Sequence, residues 1–189
     1  MATPSSSTLE VNPYSIQWFA LRVRSRCERV VASAVRQKGF EEFLPLYRTV
    51  HVWTDRSKSV EMPLFPGYVF CRLDPSHRMP LLTIPGALHF VSVGKTPVAL
   101  DEGEIGIIRT ALGSNLRVEP VAFTEDGMAV RLHRGPLSGI EGLLIEAGDQ
   151  RRIVLPLTAL RRSVAIEVES EWVEPVHKFG GEALSSPKA

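Results

Sequence analysis

The hexapeptide Phe65-Pro66-Gly67-Tyr68-Val69-Phe70 decides the fold of the amino-terminal part of the chain. A Pro-Gly pair favours a tight bend, because proline fixes its φ angle and glycine adopts positive φ at little steric cost. The residues after the bend alternate between two faces, as in a strand: Val69, Cys71 and Leu73 on one, and Tyr68, Phe70 and Arg72 on the other. The stretch therefore predicts a buried strand whose entrance carries a bend and two aromatic side chains.

The segments around this strand predict helices and further strands. The stretch from Trp18 to Arg24 is typical of a strand with one buried face. A helix is expected from about Arg26 to Lys38, because its apolar residues recur at helical spacing: Cys27, Val30, Val31, Ala34 and Val35. Asp101 and Glu104 form a capping box that opens a later helix. The order β, α, β, β, short α, β, α predicts an α+β sandwich with a mostly antiparallel sheet.

A second phrase, Gly135-Pro136-Leu137-Ser138-Gly139-Ile140-Glu141-Gly142, is a glycine-punctuated turn between two short strands. Further short strands are expected near 143–146, 151–155 and 163–168. Short strands at close spacing with glycine turns predict a small antiparallel β-barrel.

The residue pattern changes between the two phrases, from mixed helices and strands to short strands with glycine turns, and this change predicts two domains. Residues 17–113 are expected to form the first domain, residues 114–126 a flexible linker, and residues 127–176 the barrel. We expect the terminal segments, residues 1–16 and 177–189, to be disordered tails.

Composition excludes several classes of function. The chain has 189 residues and a formal net charge of +1, so no global charge draws it onto nucleic acid or membrane. Its two cysteines are far apart and its five histidines are scattered, which predicts no disulfide, metal site or cofactor. There is no membrane-length apolar run and no signal peptide, so we expect a cytoplasmic protein. No paired carboxylates, nucleophile-base phrase or P-loop is present, and we predict that the protein is not an enzyme.

Three features together resemble the NusG family: Trp18-Phe19 opening the first strand, the hexapeptide, and the glycine pattern from Val130 to Ile145. In that family an amino-terminal NGN domain precedes a KOW barrel, and the resemblance covers Gln17 to Val176 in the same order. A finer set is similar to the specialised paralogues RfaH, UpxY and LoaP: Pro63-Leu64-Phe65-Pro66, Asp74-Pro75, His89-Phe90-Val91, Gly94 and Pro97.

The resemblance implies a transcription elongation and antitermination factor that acts on selected operons. The NGN domain would dock on the clamp coiled coil of the largest RNA polymerase subunit, with a second contact to the facing subunit across the DNA cleft. A factor that prefers the closed, elongating polymerase would shift the population toward that state and so disfavour pausing. Two alternatives stay open: a general NusG-like factor that couples polymerase to Rho or the ribosome, and a KOW-type RNA- or ribosome-binding module. The family implies a monomer.

The resemblance also assigns candidate site residues. The polymerase-docking surface would comprise Trp18, Phe19, Phe65, Pro66 and Tyr68, and aromatic side chains suit such a surface because they bring large area with little rotamer entropy. The alternative for each ring is packing in the core, and Trp18 and Phe19 cannot share one face of a strand. His77 and Thr83 are weak candidates for the second polymerase contact, and a solvated turn is the favoured alternative.

The remaining candidates concern nucleic acid and the barrel. Arg24, Arg26, Arg29 and Arg36 could contact the phosphates of the non-template DNA strand, and the alternative is a solvated helix face. The KOW motif would comprise Gly135, Pro136, Gly139 and Gly142, and in the family the barrel binds a ribosomal protein or Rho.

Overall fold

The structure, a computed structural model, describes residues 16–53, 56–124, 127–147 and 150–176. It divides into two compact units. The first takes the chain up to Arg109 together with Thr158–Arg161, and the second takes the remainder. Apart from Ile16, both predicted tails lie outside the described residues.

The first unit holds a sheet, two hairpins and two of the three described α-helices. Its strands are β1 (Gln17–Val23), β2 (Glu41–Phe43), β3 (Leu46–Trp53), β4 (Arg56–Pro63), β5 (Tyr68–Leu73), β6 (Ala87–Phe90), β7 (Ser92–Val93), β8 (Thr96–Pro97) and β9 (Ala99–Leu100). Its helices are α1 (Glu28–Gln37) and α2 (Met79–Leu82), and α3 (Glu102–Gly113) begins in this unit.

The sheet of the first unit has the order β2-β5-β1-β6, with β9 also paired to β1. All of these pairings are antiparallel, and β3–β4 and β7–β8 form separate hairpins. The predicted α+β fold with an antiparallel sheet is confirmed. The register pairs Arg22 with Tyr68, so the hexapeptide begins β5 beside the end of β1.

Helix α1 covers one face of this sheet. The core there contains side chains from all three central elements: Phe19, Leu21 and Val23 of β1, Val69, Cys71 and Leu73 of β5, and Val31, Ala32 and Val35 of α1. The predicted alternation along β5 is therefore confirmed. The prediction that Val30 belongs to the buried face is wrong, since 66% of this residue is exposed. Each helical residue turns by about 100°, so Val30 lies beside the stripe set by Val31 and Val35.

Helix α3 begins at the predicted cap. The Glu104 amide donates a hydrogen bond of 3.0 Å to Oδ1 of Asp101, which confirms that half of the capping box. Ile105 and Ile108 are buried on its inner face.

The second unit contains a six-stranded antiparallel sheet in the order β10-β14-β13-β12-β11-β15. Its strands are β10 (Val118–Val121), β11 (Met128–Leu132), β12 (Glu141–Ala147), β13 (Gln150–Leu157), β14 (Arg162–Val168) and β15 (Val173–Pro175). Strand β10 lies inside the segment 114–126 that the sequence suggests as a linker, and it pairs with β14. An edge strand has unpaired main-chain N–H and C=O groups that can pair with a further strand. Four residues are too few for apolar periodicity to predict such a strand.

Candidate polymerase-docking surface

The Pro-Gly bend of the hexapeptide stands at the entrance of β5, as predicted. Pro66 is exposed at its tip, and Gly67 is buried with a φ angle of +81°. The Tyr68 amide donates to the Phe65 carbonyl across the bend at 3.2 Å. The Gly67 carbonyl accepts from the Val23 amide at 2.9 Å, which fixes the bend to the end of β1.

A buried carboxylate also holds the bend, through a hydrogen bond to its main chain. Glu28 is the first residue of α1 and is only 5% exposed. Its Oε1 accepts a hydrogen bond of 2.8 Å from the Gly67 amide. Sequence reasoning missed Glu28, because an acidic residue in the first turn of a helix is ordinary and its partner lies 39 residues away. Both main-chain polar groups of Gly67 are thus held by protein partners.

A stacked guanidinium limits the orientation of the Tyr68 ring. The guanidinium carbon of Arg22 lies 4.7 Å from the centre of that ring, across the β1–β5 register. The same guanidinium closes the space above Gly67, where an added Cβ would meet Nη1 of Arg22 at 2.8 Å. Tyr68 is half-buried, so part of this residue stays accessible.

The Phe65 ring is covered in this structure. It is 2% exposed and packs on Phe70 with 5.4 Å between ring centres, and Phe70 packs in turn on Phe43 at 6.1 Å. The expectation that Phe65 presents its ring to a partner therefore needs correction, because this arrangement leaves almost none of the ring accessible. The Phe65 ring packs on Phe70 in the interior, while Pro66 and Tyr68 carry the accessible surface of the bend.

Trp18 and Phe19 are also covered, one on each face of the sheet. Phe19 belongs to the core under α1 and meets Phe90 edge-on at 6.3 Å. The guanidinium carbon of Arg109, on α3, lies 4.8 Å from the centre of the Trp18 ring. Both residues are 2% exposed. Strand β1 is central in the sheet and both of its faces are occupied, so neither ring offers the docking surface predicted for it.

Arg109 belongs to a small charged network beside Trp18. Its guanidinium carbon also lies 4.9 Å from the Phe43 ring centre, and it forms an ion pair of 3.1 Å with Glu41. Glu41 pairs with Arg72 as well. Burial acts to raise the pKa of Glu41, but the hydrogen bonds and charges of Arg109 and Arg72 hold that pKa below its ordinary value. The network secures α3 to the edge of the sheet.

The turn that carries His77 is organised locally. Asp74 accepts from the Ser76 amide at 2.8 Å and from the Ser76 hydroxyl at 2.6 Å, and these bonds hold the pKa of Asp74 below its ordinary value. The Ser76 hydroxyl and the Asp74 carboxylate both approach Nδ1 of His77. A Ser-His-Asp relay uses the two different ring nitrogens, which this cluster does not. Asp74 instead caps the short 3-10 helix Pro75–His77. The second polymerase contact stays a prediction for exposed His77 and Thr83.

The four candidate arginines for nucleic acid are all exposed. Arg29 pairs with Glu61 at 3.3 Å, and Arg36 pairs with Glu42. Arg26 sits at a φ angle of +66° in the turn before α1. Two of the four charges are thus partly compensated, and the DNA contact stays a prediction.

The glycines of the KOW motif lie at positions in the second unit where a larger residue would clash or strain the backbone. Gly135 has a φ angle of +79°, and a Cβ there would lie 2.6 Å from the ring of Trp172. A Cβ at Gly142 would lie 2.7 Å from Cγ2 of Ile153. Gly139 has a φ angle of +90° with open space around it, and its amide donates to the Leu132 carbonyl. The turn at Gly135 thus lies closer to Trp172, and β12 at Gly142 closer to Ile153 of β13, than a residue with a Cβ would fit without a shift.

Two kinds of feature are absent from the part of the chain that the structure describes. No group of three or more His, Cys, Asp and Glu side chains in it could hold a metal ion. None of its helices combines the length and apolar character that crossing a membrane requires.

The sequence matches known proteins over both units. The family model described as "Transcription termination factor nusG" matches residues 16–109. The transcription termination/antitermination protein NusG of Helicobacter pylori is 26% identical over 176 residues, which cover 85% of this chain and 99% of that protein. The Pseudomonas aeruginosa protein of the same name is 25% identical over 159 residues, covering 82% and 90%.

A solved structure of Thermotoga maritima NusG has the same fold. It superposes with a TM-score of 0.57 at 19% identity and covers 88% of this chain and 100% of that one. An antiparallel NGN-type sandwich followed by a KOW-like sheet region defines a two-part architecture. The chain belongs to the NusG family.

Proposed function

We propose that the chain is a transcription elongation and antitermination factor that binds RNA polymerase through the bend at Phe65–Tyr68. The observation that carries this proposal is the anchored bend, which holds Pro66 and Tyr68 at the surface on a fixed backbone. Membership of the NusG family supplies the class of activity, since the relatives are named transcription termination/antitermination proteins.

The chemistry of the bend suits docking on a helical partner. Tyr68 offers a rigid aromatic edge with a hydroxyl, and Pro66 adds apolar area that loses no side-chain entropy on binding. We assign the partner as the clamp coiled coil of the largest polymerase subunit, as the family resemblance implies. A further contact to the facing subunit, through His77 and Thr83, would bridge the DNA cleft.

Such a bridge acts by shifting a population. If the factor binds the closed, elongating polymerase more tightly than the paused one, each 1.4 kcal/mol of difference changes the ratio of the two states by about tenfold. The proposed result is processive transcription with fewer pauses. The protein would act wherever the polymerase works, in the bacterial cytoplasm.

Two candidate functions differ in the range of genes on which the factor would act. The finer likeness to RfaH, UpxY and LoaP supports action on selected operons. The curated relatives bear the plain name NusG, which favours a general factor that couples polymerase to Rho or the ribosome. Mapping occupancy along the genome separates the two, because a selective factor would occupy few transcription units and a general one most of them.

A third candidate, an RNA- or ribosome-binding KOW module, needs a concentrated basic surface in the second unit. Acidic partners oppose such a surface. Arg131 bonds to Glu141 at 3.0 Å, and Arg117 bonds to Glu119 at 2.7 Å. We therefore favour the polymerase as the primary partner.

Binding to purified cognate core RNA polymerase tests the proposal. We expect wild type to bind and Tyr68→Ala to bind at least about tenfold more weakly, as at a typical interface hot spot. Val93→Ala is the matched control, because it removes apolar area that is 77% exposed on a different strand. Absence of wild-type binding, or equal binding by the folded Tyr68→Ala variant, would contradict the proposed docking surface.

A further inference from the structure

We propose that Glu28 is a positioning residue for polymerase docking, which holds the Phe65–Tyr68 bend in its binding-competent form. This inference rests on the proposed function. Glu28 itself is buried and does not reach the surface, so it would act on the partner only through Gly67.

The burial of Glu28 calls for a reason beyond helix formation. An acidic side chain in the first turn stabilises a helix from an exposed position equally well. Taking a carboxylate out of water costs free energy unless hydrogen bonds compensate it. Here the bond is to a main-chain amide at 2.8 Å, and charge-assisted bonds of this kind are the stronger ones. The carboxylate is thus committed to the bend.

The bond restricts a residue that is otherwise free to move. Glycine samples positive and negative φ about equally, so the +81° conformation of Gly67 is only one of several that its backbone permits. The Glu28 carboxylate fixes the direction of the Gly67 amide, and the Val23 amide fixes that of its carbonyl. The two peptide planes that flank Gly67 set the directions of Pro66 and Tyr68.

The position of Glu28 is itself set by the core. Val31 and Val35 lie three and seven residues further along α1, on the same face, and both are fully buried. Packing of α1 on β1 and β5 therefore places the Glu28 carboxylate, and the carboxylate places the bend. The helix thus transmits the rigidity of the core to the docking surface.

Loss of the hydrogen bond between the Gly67 amide and Glu28 should weaken docking. Without an acceptor, the Gly67 amide turns toward solvent in other conformations of the bend, and only a fraction of molecules presents Tyr68 correctly. The apparent dissociation constant rises in inverse proportion to that fraction. A buried donor left without its partner costs enough to reduce the fraction about tenfold.

The experiment compares full-length variants for binding to core RNA polymerase, at a temperature where circular dichroism shows each of them folded. Glu28→Ala removes the acceptor. Glu28→Asp keeps the charge at the helix start but is one methylene too short to reach Gly67. Glu28→Gln keeps a carbonyl oxygen at the same reach. Ser33→Gly is the control, because it weakens the same helix from its exposed face without touching the core or the bend.

We expect Glu28→Ala and Glu28→Asp to bind about tenfold more weakly than wild type. Glu28→Gln should stay within about threefold of wild type, and Ser33→Gly should match wild type. Equal loss in Glu28→Gln and Glu28→Ala, or equal loss in Ser33→Gly, would overturn the inference. Wild-type affinity in Glu28→Asp would also overturn the inference. If Tyr68→Ala still binds more weakly in that case, the proposed function stands. Failure of wild type to bind would instead remove the proposed function.

Discussion

The guanidinium carbon of Arg109 lies 4.8 Å from the centre of the Trp18 ring, so a charged side chain of α3 closes the face of the sheet that α1 leaves open. Cation–π contacts of this kind contribute about 0.5–2 kcal/mol, according to their exposure to solvent. The contact explains why an aromatic residue at the start of β1 is buried although its neighbour Phe19 fills the opposite face.

Trp18 is therefore expected to act on stability. Trp18→Ala should lower the free energy of unfolding by about 3–5 kcal/mol, because a large buried ring is removed and a cavity remains. Trp18→Phe should cost less, since it keeps a ring beneath Arg109. Urea unfolding followed by circular dichroism checks both variants. A cost near zero for Trp18→Ala would show that the ring packs against little in solution.

The charged network around Glu41 predicts a pH effect. Arg109→Gln should raise the pKa of Glu41, because one of the two guanidinium groups that hold it down is removed. A carboxylate with a lowered folded-state pKa stabilises the fold above its unfolded-state pKa, and that stabilisation is lost as the pH falls through the folded-state value. The Glu41 side chain is 44% exposed, so solvent screening keeps the effect small.

Carboxyl NMR titration of wild type and Arg109→Gln measures this shift directly. Arg29→Gln serves as the control, since Arg29 pairs with Glu61 and makes no contribution to the Glu41 shift. An unchanged Glu41 pKa in Arg109→Gln would contradict the role given to this arginine.

Local periodicity was sufficient to predict the central elements of the fold. Alternation along β5 and the helical spacing of Val31 and Val35 place each side chain on the correct face. Apolar spacing fails at Val30, which fits the pattern but turns away from the sheet. It also fails at β10, because a short strand forms only where a partner edge is available.

The candidate site was less predictable, since it depends on pairings between distant parts of the chain. The sequence indicates the bend and its aromatic residues, but the burial of Phe65 follows from tertiary packing. The supporting residues Arg22, Glu28 and Arg109 were missed. Each is an ordinary charged residue in its own segment, and its partner becomes a neighbour only after the sheet has formed.

Gly67 should be intolerant of substitution on conformational grounds. Gly67→Ala places a side chain at a φ angle of +81° and pushes the Arg22 guanidinium away from Tyr68, so we expect a loss of about 1–2 kcal/mol in stability. Gly106→Ala is the opposite case, because it lies inside α3 with open space at its Cβ position, and it should stabilise by about 0.5–1 kcal/mol. Thermal unfolding of both variants checks the pair, and equal changes would contradict the argument.

The two cysteines should differ strongly in reactivity. Cys71 is fully buried in β5, and burial raises the pKa of its thiol, with a further contribution from the charge of Glu42. Cys27 is half-exposed at the start of α1. Because the thiolate is the reactive form, iodoacetamide should modify Cys27 in the native protein and reach Cys71 only after unfolding. Mass spectrometry of native and urea-treated samples tests this, and rapid native labelling of Cys71 would contradict its burial.

The KOW turn offers a way to separate backbone strain from steric clash. Gly135 and Gly139 both have positive φ angles, of +79° and +90°, so alanine should strain the backbone at either site. Only at position 135 would the new Cβ also meet the Trp172 ring, at 2.6 Å, whereas nothing lies within 4 Å at position 139. Gly139→Ala should therefore cost about 1–2 kcal/mol, and Gly135→Ala about 1–3 kcal/mol more.

A double variant completes this test. Trp172→Leu replaces the ring by a smaller side chain and should remove most of the additional cost of Gly135→Ala. The cost of Gly139→Ala should stay unchanged, because only position 135 contacts Trp172. The free energies of unfolding of the single and double variants in the full-length protein give the coupling. Additive effects at Gly135 and Trp172 would mean that the ring moves aside freely, and that strain alone requires glycine in this turn.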